Sequence, residues 1–242
     1  MKAIEIKQLS KRYGDRVAVD ELTLSVPQGE FLALLGENGA GKTTSVKMLC
    51  CLTPPSSGDA LLLGDSILKA ARAVKQKTNL SPQETAVAPN LSVRENLRLM
   101  ARIYGLQAGE SAQKVEELIE RLGLGDYADE RAKRLSGGMQ RRLSIGMALI
   151  SDPQILFLDE PTLGLDVRAR RKLWGSLLEL KGSVTIVLTT HYMEEAEALA
   201  DRIAIIDRGR LQALGTVEEL KAETKSTSLE AAFLQLTESE AL

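Results

Sequence analysis

A phosphate-binding loop motif constrains the fold of this chain more than any other feature. Residues 36 to 43 read GENGAGKT, which matches the pattern G-x-x-x-x-G-K-[ST]. The apolar run FLALL at 31 to 35 precedes the loop, and the helix-like stretch TTSVKMLCCL follows its lysine. The motif needs this order of strand, loop and helix, because the glycines let main-chain N–H groups wrap around phosphate oxygens at the positive end of the helix. The loop therefore predicts a nucleoside-triphosphate site.

The loop also predicts roles for individual residues. Lys42 should reach the β- and γ-phosphates, and the hydroxyl of Thr43 should ligate Mg²⁺. A glycine-rich turn that binds nothing is the structural alternative, but the flanking strand and helix favour the nucleotide site. The motif alone does not say which family of phosphate-loop proteins is involved. The residues expected to contact the nucleotide here are Gly36, Glu37, Asn38, Gly39, Ala40, Gly41, Lys42, Thr43 and Thr44.

Further apolar runs predict the fold around the loop. ILFL at 155 to 158, VTIVLTT at 184 to 190 and IAII at 203 to 206 are short and continuous, which is typical of strands buried on both faces. Helical patterns separate them, so the core should be α/β with a largely parallel sheet. Between Ile4 and Val26, apolar and polar residues alternate, which predicts strands or hairpins exposed on one face.

The middle of the chain has a helical pattern throughout. SVRENLRLMARIYG, SAQKVEELIERLGL and SGGMQRRLSIGMALIS lie between about residues 91 and 150, and no strand pattern interrupts them. We therefore expect an all-helical subdomain inserted into the α/β core. Basic clusters at 133–134, 141–142 and 168–172 are interpreted as solvated helix faces.

Two carboxylates follow one of the buried strands. ILFL leads directly into Asp159 and Glu160. A carboxylate in such a place is costly unless a cation or hydrogen bonds compensate it. In a phosphate-loop protein that cation is Mg²⁺, held through Asp159 and Thr43, while Glu160 can polarise the attacking water as a general base. The alternative is that one of the pair only caps the next helix.

Composition argues against other classes of protein. The 31 basic and 33 acidic residues leave a net charge of −2, and aromatic residues make up 3%, so neither a basic field nor a stacking platform for nucleic acid is expected. The N-terminus lacks the apolar segment of a signal peptide, and no run of about 18 apolar residues occurs. Cys50 and Cys51 are adjacent and are expected to be small buried residues rather than a disulfide or a metal site. We expect a cytoplasmic protein that binds no nucleic acid.

A second glycine-rich segment carries a family resemblance. Residues 135 to 140 read LSGGMQ at the start of a helical pattern, with Ser136 placed as the N-cap. Ser136 lies 23 residues before Asp159. In these motifs and their order the chain resembles the ABC ATPase family, whose LSGGQ-type signature precedes the strand that ends in Asp-Glu. Met139 departs from the commonest glutamine and looks like a familiar variant.

The resemblance implies a fold and a domain division. It implies an α/β fold with a P-loop NTPase core of the RecA-like kind, an antiparallel β subdomain and an inserted all-helical subdomain that carries the signature. Residues 1–220 would then form one ATP-binding domain, with the core at about 1–90 and 151–220 and the helical subdomain at about 91–150. Residues 221–242 would form a C-terminal helical tail.

The resemblance also implies roles for residues outside the phosphate loop. Tyr13 resembles the aromatic residue that stacks on adenine, and Gln83 the glutamine that senses Mg²⁺ and the permease. His191, the only histidine, takes the place of the switch histidine that contacts the γ-phosphate, although a lone histidine after an apolar strand is more often structural. The full set is catalytic Glu160 and His191, metal-binding Thr43, Gln83 and Asp159, and, beyond the loop, nucleotide-binding Tyr13, Gln83, Ser136, Gly137, Gly138 and Asp166.

ABC ATPases work as head-to-tail dimers, so the resemblance implies that Ser136 and Gly138 serve the nucleotide of a partner chain. The implied cofactors are ATP and Mg²⁺. The implied partners are a transmembrane permease subunit and a second ATPase subunit, identical in a homodimer or related in a heterodimer. Residues 84 to 100 lie where this family grips its permease, although an ordinary surface loop fits the same residues.

Two segments resemble the ATPases of ABC-2-type exporters of drugs, antibiotics and lipids. They are SLEAAFLQLT at 228 to 237 and the stretch THYMEEAEALADRIAIIDRGRL around His191. Export is therefore expected, at the inner face of the cell membrane through the permease. An importer subunit is one alternative. A soluble ABC ATPase acting on ribosomes or DNA is another, which the single cassette without an inserted coiled coil or zinc module disfavours. The sequence does not name the cargo.

Overall fold

The fold consists of two β-sheets surrounded by helices. The computed structural model describes residues 1–238. The strands are β1 (Lys2–Tyr13), β2 (Arg16–Pro27), β3 (Phe31–Leu35), β4 (Ser57–Leu62), β5 (Asp65–Ser66), β6 (Thr78–Ser81), β7 (Ile155–Asp159), β8 (Thr185–Thr190), β9 (Arg202–Asp207) and β10 (Arg210–Gly215). The α-helices are α1 (Lys42–Leu49), α2 (Ala71–Lys77), α3 (Val93–Ile103), α4 (Ala108–Arg121), α5 (Gly137–Leu149), α6 (Val167–Leu178), α7 (Met193–Leu199), α8 (Val217–Thr224) and α9 (Leu229–Glu238).

The larger sheet brings the ends of three buried strands side by side. Its order is β10-β9-β3-β8-β7-β6, with parallel pairing from β9 to β6 and β10 antiparallel to β9. Every residue of β3, β7 and β8 is buried, as the apolar runs predict. Because the carboxyl ends of parallel strands meet at one edge, the segments after Leu35, Asp159 and Thr190 converge there.

The smaller sheet is antiparallel, in the order β2-β1-β4-β5. It shares a hydrophobic core with α1 and one face of the larger sheet, to which Leu9, Val46 and Phe157 contribute. Cys50 is buried in this core, as expected, whereas Cys51 is only half-buried and packs against it. The α/β class with an additional antiparallel sheet is therefore confirmed.

Helices α3, α4 and α5 follow one another between β6 and β7. They cover the other face of the larger sheet, where Leu97 and Leu143 pack in one core with Leu156. Ser136 is the N-cap of α5, as predicted, and its hydroxyl accepts a hydrogen bond from the N–H of Met139. No helix within residues 1–238 is long and apolar enough to cross a bilayer.

Helices α8 and α9 pack beside β9 and β10 through Leu220, Leu229 and Phe233. Helix α8 begins at Val217, before the expected start of the tail at 221, and α9 ends at Glu238. Residues 239–242 of the expected tail lie outside the described residues. The domain limits near 90, 150 and 220 stay a prediction.

The interpretation of the basic clusters as solvated helix faces is wrong for one pair. Lys133 and Arg134 are exposed. Arg141 and Arg142, in contrast, are only 4% and 9% exposed. Their guanidinium groups donate hydrogen bonds to main-chain carbonyls, which compensates the cost of burying the charge.

Candidate nucleotide-binding site

The phosphate loop is folded around its own lysine. Lys42 Nζ donates to the carbonyls of Gly36 and Glu37 at 2.8 and 3.0 Å. A side chain at Gly36 would come within 2.2 Å of a main-chain carbonyl oxygen. Gly41 has a φ of 104°, and a Cβ there would lie 2.4 Å from another carbonyl. The fold of the loop therefore requires both glycines.

Lys42 is buried in a polar environment. Burial lowers the pKa of its ammonium group, and the carboxylates of Glu160 and Asp159 partly offset that effect. Glu160 Oε1 lies 3.5 Å from Lys42 Nζ. A phosphate in the cleft would add negative charge beside this ammonium, so the lysine is suited to charge-assisted hydrogen bonds with phosphate oxygens.

Two hydroxyl groups hold the first carboxylate of the acidic pair. Thr43 Oγ1 donates to Asp159 Oδ1 at 2.9 Å, and Thr189 Oγ1 donates to the same oxygen at 2.5 Å. Thr189 lies directly opposite Asp159 in the pairing of β7 with β8. The structure thus brings two of the three expected metal ligands, Thr43 and Asp159, into contact and adds Thr189, which the sequence analysis did not single out.

The oxygen donors at this point fit a hard divalent cation. Gln83 lines the same cleft as Thr43. Mg²⁺ usually binds to one or two protein oxygens together with substrate phosphates, rather than in a complete protein cage. The part of the chain that the structure describes contains no cluster of three or more His, Cys, Asp and Glu side chains that could form such a cage. Thr43, Asp159 and Gln83 therefore suit Mg²⁺ that enters with a nucleotide.

Glu160 lies in a strained turn next to His191. Its φ is 47°, in the left-handed region that residues with a side chain rarely adopt. Its main-chain N–H is shared between the carbonyl and the hydroxyl of Thr189, at 3.1 and 3.0 Å. His191 Nδ1 is 2.8 Å from Glu160 Oε2, but it is not aligned for a hydrogen bond. The turn places the carboxylate between Lys42 and His191.

These residues open onto a cleft of about 520 Å³ between the phosphate loop and the β1–β2 hairpin. Tyr13 is 50% exposed there, and Lys11 Nζ lies 5.1 Å from the centre of its ring. Arg16 adds a positive charge that the sequence analysis missed, although its position beside Tyr13 at the hairpin end could have indicated it. The lining residues are Tyr13, Arg16, Ala18, Asn38, Gly39, Gly41, Lys42, Thr43, Thr44, Gln83, Glu160 and Leu163.

Some predicted residues lie beside this cleft rather than in its wall. Gly36, Glu37, Ala40 and His191 border two adjoining hollows that reach α9. His191 still approaches the cleft through its contact with Glu160. The phosphate-loop side of the predicted site is therefore assembled within one chain.

The signature residues are not part of this cleft. Ser136 and Gly137 are exposed at the N-terminus of α5, and Gly138 is half-buried. Asp166 caps α6, since its carboxylate accepts hydrogen bonds from the N–H groups of Arg168 and Ala169. The predicted site residues thus form two groups, one assembled around the cleft and one outside it.

Comparison with known proteins shows a consistent likeness. A family profile described as "ABC transporter" matches residues 19–163. The daunorubicin resistance ATP-binding protein DrrA3 of Streptomyces coeruleorubidus is 44% identical over 223 residues, which cover 92% of this chain and 71% of that protein. The Nod factor export ATP-binding protein I of Cupriavidus metallidurans is 44% identical over 218 residues, covering 90% and 72%.

The fold has a close counterpart among solved structures. The structure of an ATP-binding subunit of an ABC transporter superposes with a TM-score of 0.85 at 29% sequence identity. The superposition covers 97% of this chain and 99% of the other.

Proposed function

Since this chain belongs to the ABC transporter family of ATP-binding proteins, we propose that its cleft binds ATP with Mg²⁺ and that Glu160 activates the water that attacks the γ-phosphate. The chain is an ATP-hydrolysing member of that family. One observation carries the proposal: at the carboxyl edge of the larger sheet, Lys42 lies beside the carboxylate of Glu160, and Thr43 donates a hydrogen bond to the adjacent Asp159.

Each residue has a role that its surroundings support. Lys42 binds the β- and γ-phosphates, and the half-exposed ring of Tyr13 stacks on the base. Thr43, Asp159 and Gln83 hold Mg²⁺, which when bound neutralises charge on the phosphates. Glu160 accepts the proton of the attacking water, and His191, beside it, orients toward the γ-phosphate.

The second half of the site comes from a partner chain. Ser136, Gly137 and Gly138 lie outside the cleft of their own chain, on an exposed helix start that suits an anion. In a head-to-tail dimer this helix start faces the partner's ATP. Because ADP lacks the γ-phosphate, hydrolysis weakens the dimer and resets it. Asp166, at the start of α6, lies at the same interface.

The mechanical output goes to a transmembrane permease. Residues 84 to 100 directly follow Gln83, so a change at the cleft is passed to the segment that this family uses as its permease contact. We propose export as the direction, because the relatives named above include a Nod factor export protein and a drug resistance protein. On this view the chain is held at the inner face of the cell membrane through the permease.

The test is ATP hydrolysis by the purified chain across a range of protein concentrations, beside Glu160→Gln. Loss of a general base lowers the rate by about 10²- to 10⁴-fold. The exposed Glu194→Gln is a matched control that should keep the wild-type rate. Light scattering in ATP and Mg²⁺ measures the dimer content of each protein.

A wild-type rate that rises more than linearly with concentration, with Glu160→Gln trapped as an ATP-bound dimer, supports shared sites in a homodimer. If Glu160→Gln hydrolyses ATP at the wild-type rate, Glu160 is not the base. If the chain binds ATP but stays monomeric and idle at every concentration, a different subunit completes the site and the homodimer is excluded.

A further inference from the structure

Arg141 is a buried arginine whose five N–H donors are all used by main-chain carbonyls. Nε donates to Pro161 O at 2.8 Å, and one terminal nitrogen donates to Asp159 O and Glu160 O at 2.9 and 2.7 Å. The other terminal nitrogen donates to Pro82 O and Gln83 O. A guanidinium carries five N–H groups, so its hydrogen-bonding capacity is filled.

The five carbonyls belong to two segments of the site. Three of them come from the consecutive residues 159–161, which form the strained turn that aims the Glu160 carboxylate. The other two come from residues 82 and 83, where β6 ends and the Gln83 side chain enters the cleft. Arg141 itself belongs to α5, the helix that begins at the signature. One side chain therefore ties the signature helix to both segments.

We infer that Arg141 is a positioning residue for hydrolysis: it fixes the main chain of Glu160 and Gln83 relative to the signature helix. This inference rests on the proposed function, because it assigns to Glu160 and Gln83 the roles given there. Arg141 lies five residues after Ser136, about 7.5 Å along the same helix at 1.5 Å per residue. A rigid helix of that length moves the signature and the guanidinium together.

The geometry favours a role in placement over one in packing alone. A φ of 47° at Glu160 persists only when the surroundings hold it, and Arg141 binds the carbonyl of Glu160 and those of both its neighbours. Burial lowers the pKa of Arg141, yet the carbonyl dipoles and the nearby carboxylates of Asp159, Glu195 and Glu160 favour the cation. The buried guanidinium of Arg141 therefore stays charged where it can hold the strained turn at Glu160 in place.

Arg142 provides a matched comparison. It is the next residue of α5, is also buried, and also donates to main-chain carbonyls, those of Leu122 and Gly123. Both acceptors follow α4, so Arg142 connects only the helices between β6 and β7. Substituting Arg142 removes a buried guanidinium of the same kind without touching the turn at Glu160.

The experiment compares Arg141→Lys with Arg142→Lys in the full-length chain, together with the neutral pair Arg141→Gln and Arg142→Gln. A lysine keeps the charge but has three donors that cannot span five carbonyls. The measurements are kcat and KM for ATP, the affinity for a fluorescent ATP analogue, and the thermal unfolding temperature. Displacement of a catalytic group by about 1 Å costs up to about 100-fold in rate.

We expect Arg141→Lys and Arg141→Gln to lower kcat by about 10- to 100-fold, while KM and nucleotide affinity stay within about 2-fold of wild type. Both Arg142 variants should keep kcat within about 2-fold of wild type, even if their unfolding temperature falls as much as that of the Arg141 variants. Equal losses of kcat in the two pairs, or an Arg141 effect confined to KM, would overturn the inference. Glu160→Gln, assayed in parallel, separates this from the proposed function: if that variant stays fully active, the assignment of the base fails, whatever Arg141 does.

Discussion

The phosphate loop and the signature segment are both rich in glycine and both lead into a helix, yet their surroundings differ. At Gly36 and Gly41 an added Cβ would meet main-chain atoms within 2.4 Å, so the chain's own fold excludes any side chain. At Gly137 an added Cβ would meet nothing within 4 Å. The glycines of the loop are thus explained within one chain, whereas the absence of a side chain at Gly137 has no reason there. The neighbouring Gly138 is confined by Ala169 of its own chain, so the open space at Gly137 alone fits the proposal that a partner's nucleotide meets this surface.

The largest expected effect concerns the loop. Lys42→Ala removes the buried ammonium that we propose binds the phosphates, so we expect hydrolysis to fall by about 10²- to 10³-fold, as for other groups that stabilise developing charge. Nucleotide affinity, followed by a fluorescent ATP analogue, should fall as well. Lys47→Ala, an exposed lysine of the same helix, is the control and should retain wild-type affinity and rate. If the two variants have the same nucleotide affinity and the same rate of hydrolysis, Lys42 does not contribute to the site.

The next effect concerns the signature. Gly137→Asp puts a carboxylate where we place the partner's γ-phosphate, and we expect hydrolysis to fall by about 100-fold. Within its own chain the new side chain has open space, and an acid in the first turn of a helix is favourable, so the unfolding temperature should not fall. Nucleotide affinity of the monomer should also stay unchanged.

Gly109→Asp is the matched control for the signature variant. Gly109 lies in the first turn of α4, is exposed, and has nothing within 4 Å of an added Cβ. This variant should hydrolyse ATP at the wild-type rate. A similar loss of activity in both variants would mean that Gly137 has no special relation to the nucleotide.

A smaller effect is expected where β8 supports the acidic pair. Thr189→Val keeps the shape but removes the hydroxyl that holds Asp159 Oδ1 and accepts from the N–H of Glu160. We expect kcat to fall by about 10-fold, as for other groups that orient metal ligands, at nearly constant affinity for ATP. Thr185→Val is a buried control on the same strand, where the hydroxyl accepts from the N–H of Gly29. A wild-type kcat for Thr189→Val would contradict this role.

The smallest effect concerns stability where α7 meets α6, the helix that packs on Gly138. Glu195 is fully buried, and its Oε1 accepts from Trp174 Nε1 at 3.2 Å. Burial raises the pKa of Glu195 above its ordinary value of 4.5. The folded chain then holds a proton that the unfolded chain has lost, so this residue lowers the free energy of unfolding progressively as the pH rises above about 4.5.

Glu195→Gln should remove that dependence. We expect the stability of the variant relative to wild type, measured by chemical denaturation, to improve as the pH rises above about 4.5 and to level off once the pH passes the raised pKa of Glu195. Glu194→Gln, at an exposed neighbour, should leave the pH profile unchanged. A constant difference between Glu195→Gln and wild type over this range would mean that Glu195 does not titrate as described.

Sequence reasoning predicted the candidate site residues that lie at or shortly after the end of a buried strand. Lys42, Asp159, Glu160 and His191 each come after a short apolar run, and parallel strands bring such positions to one edge. The α/β fold followed from the same runs. Strand β6 was missed because its sequence, TNLS, has no apolar run, and it is a strand through its pairing with β7.

The sequence did not reveal what depends on distant parts of the chain. Thr189 supports Asp159 through the register of β7 and β8, which no local pattern specifies. Arg141 belongs to a basic pair that is typical of a solvated face. Its burial depends on carbonyls 18 to 59 residues away in the chain, which no charge pattern can indicate.

The most direct test of the shared site is to mix two inactive variants. Lys42→Ala has a damaged phosphate loop and an intact signature. Gly137→Asp has an intact phosphate loop and a damaged signature. In a mixed dimer, one cleft combines an intact loop with an intact signature, so hydrolysis should rise clearly above that of either variant alone. If mixed dimers form and the mixture stays as inactive as its components, the loop and the signature do not act on one nucleotide across two chains.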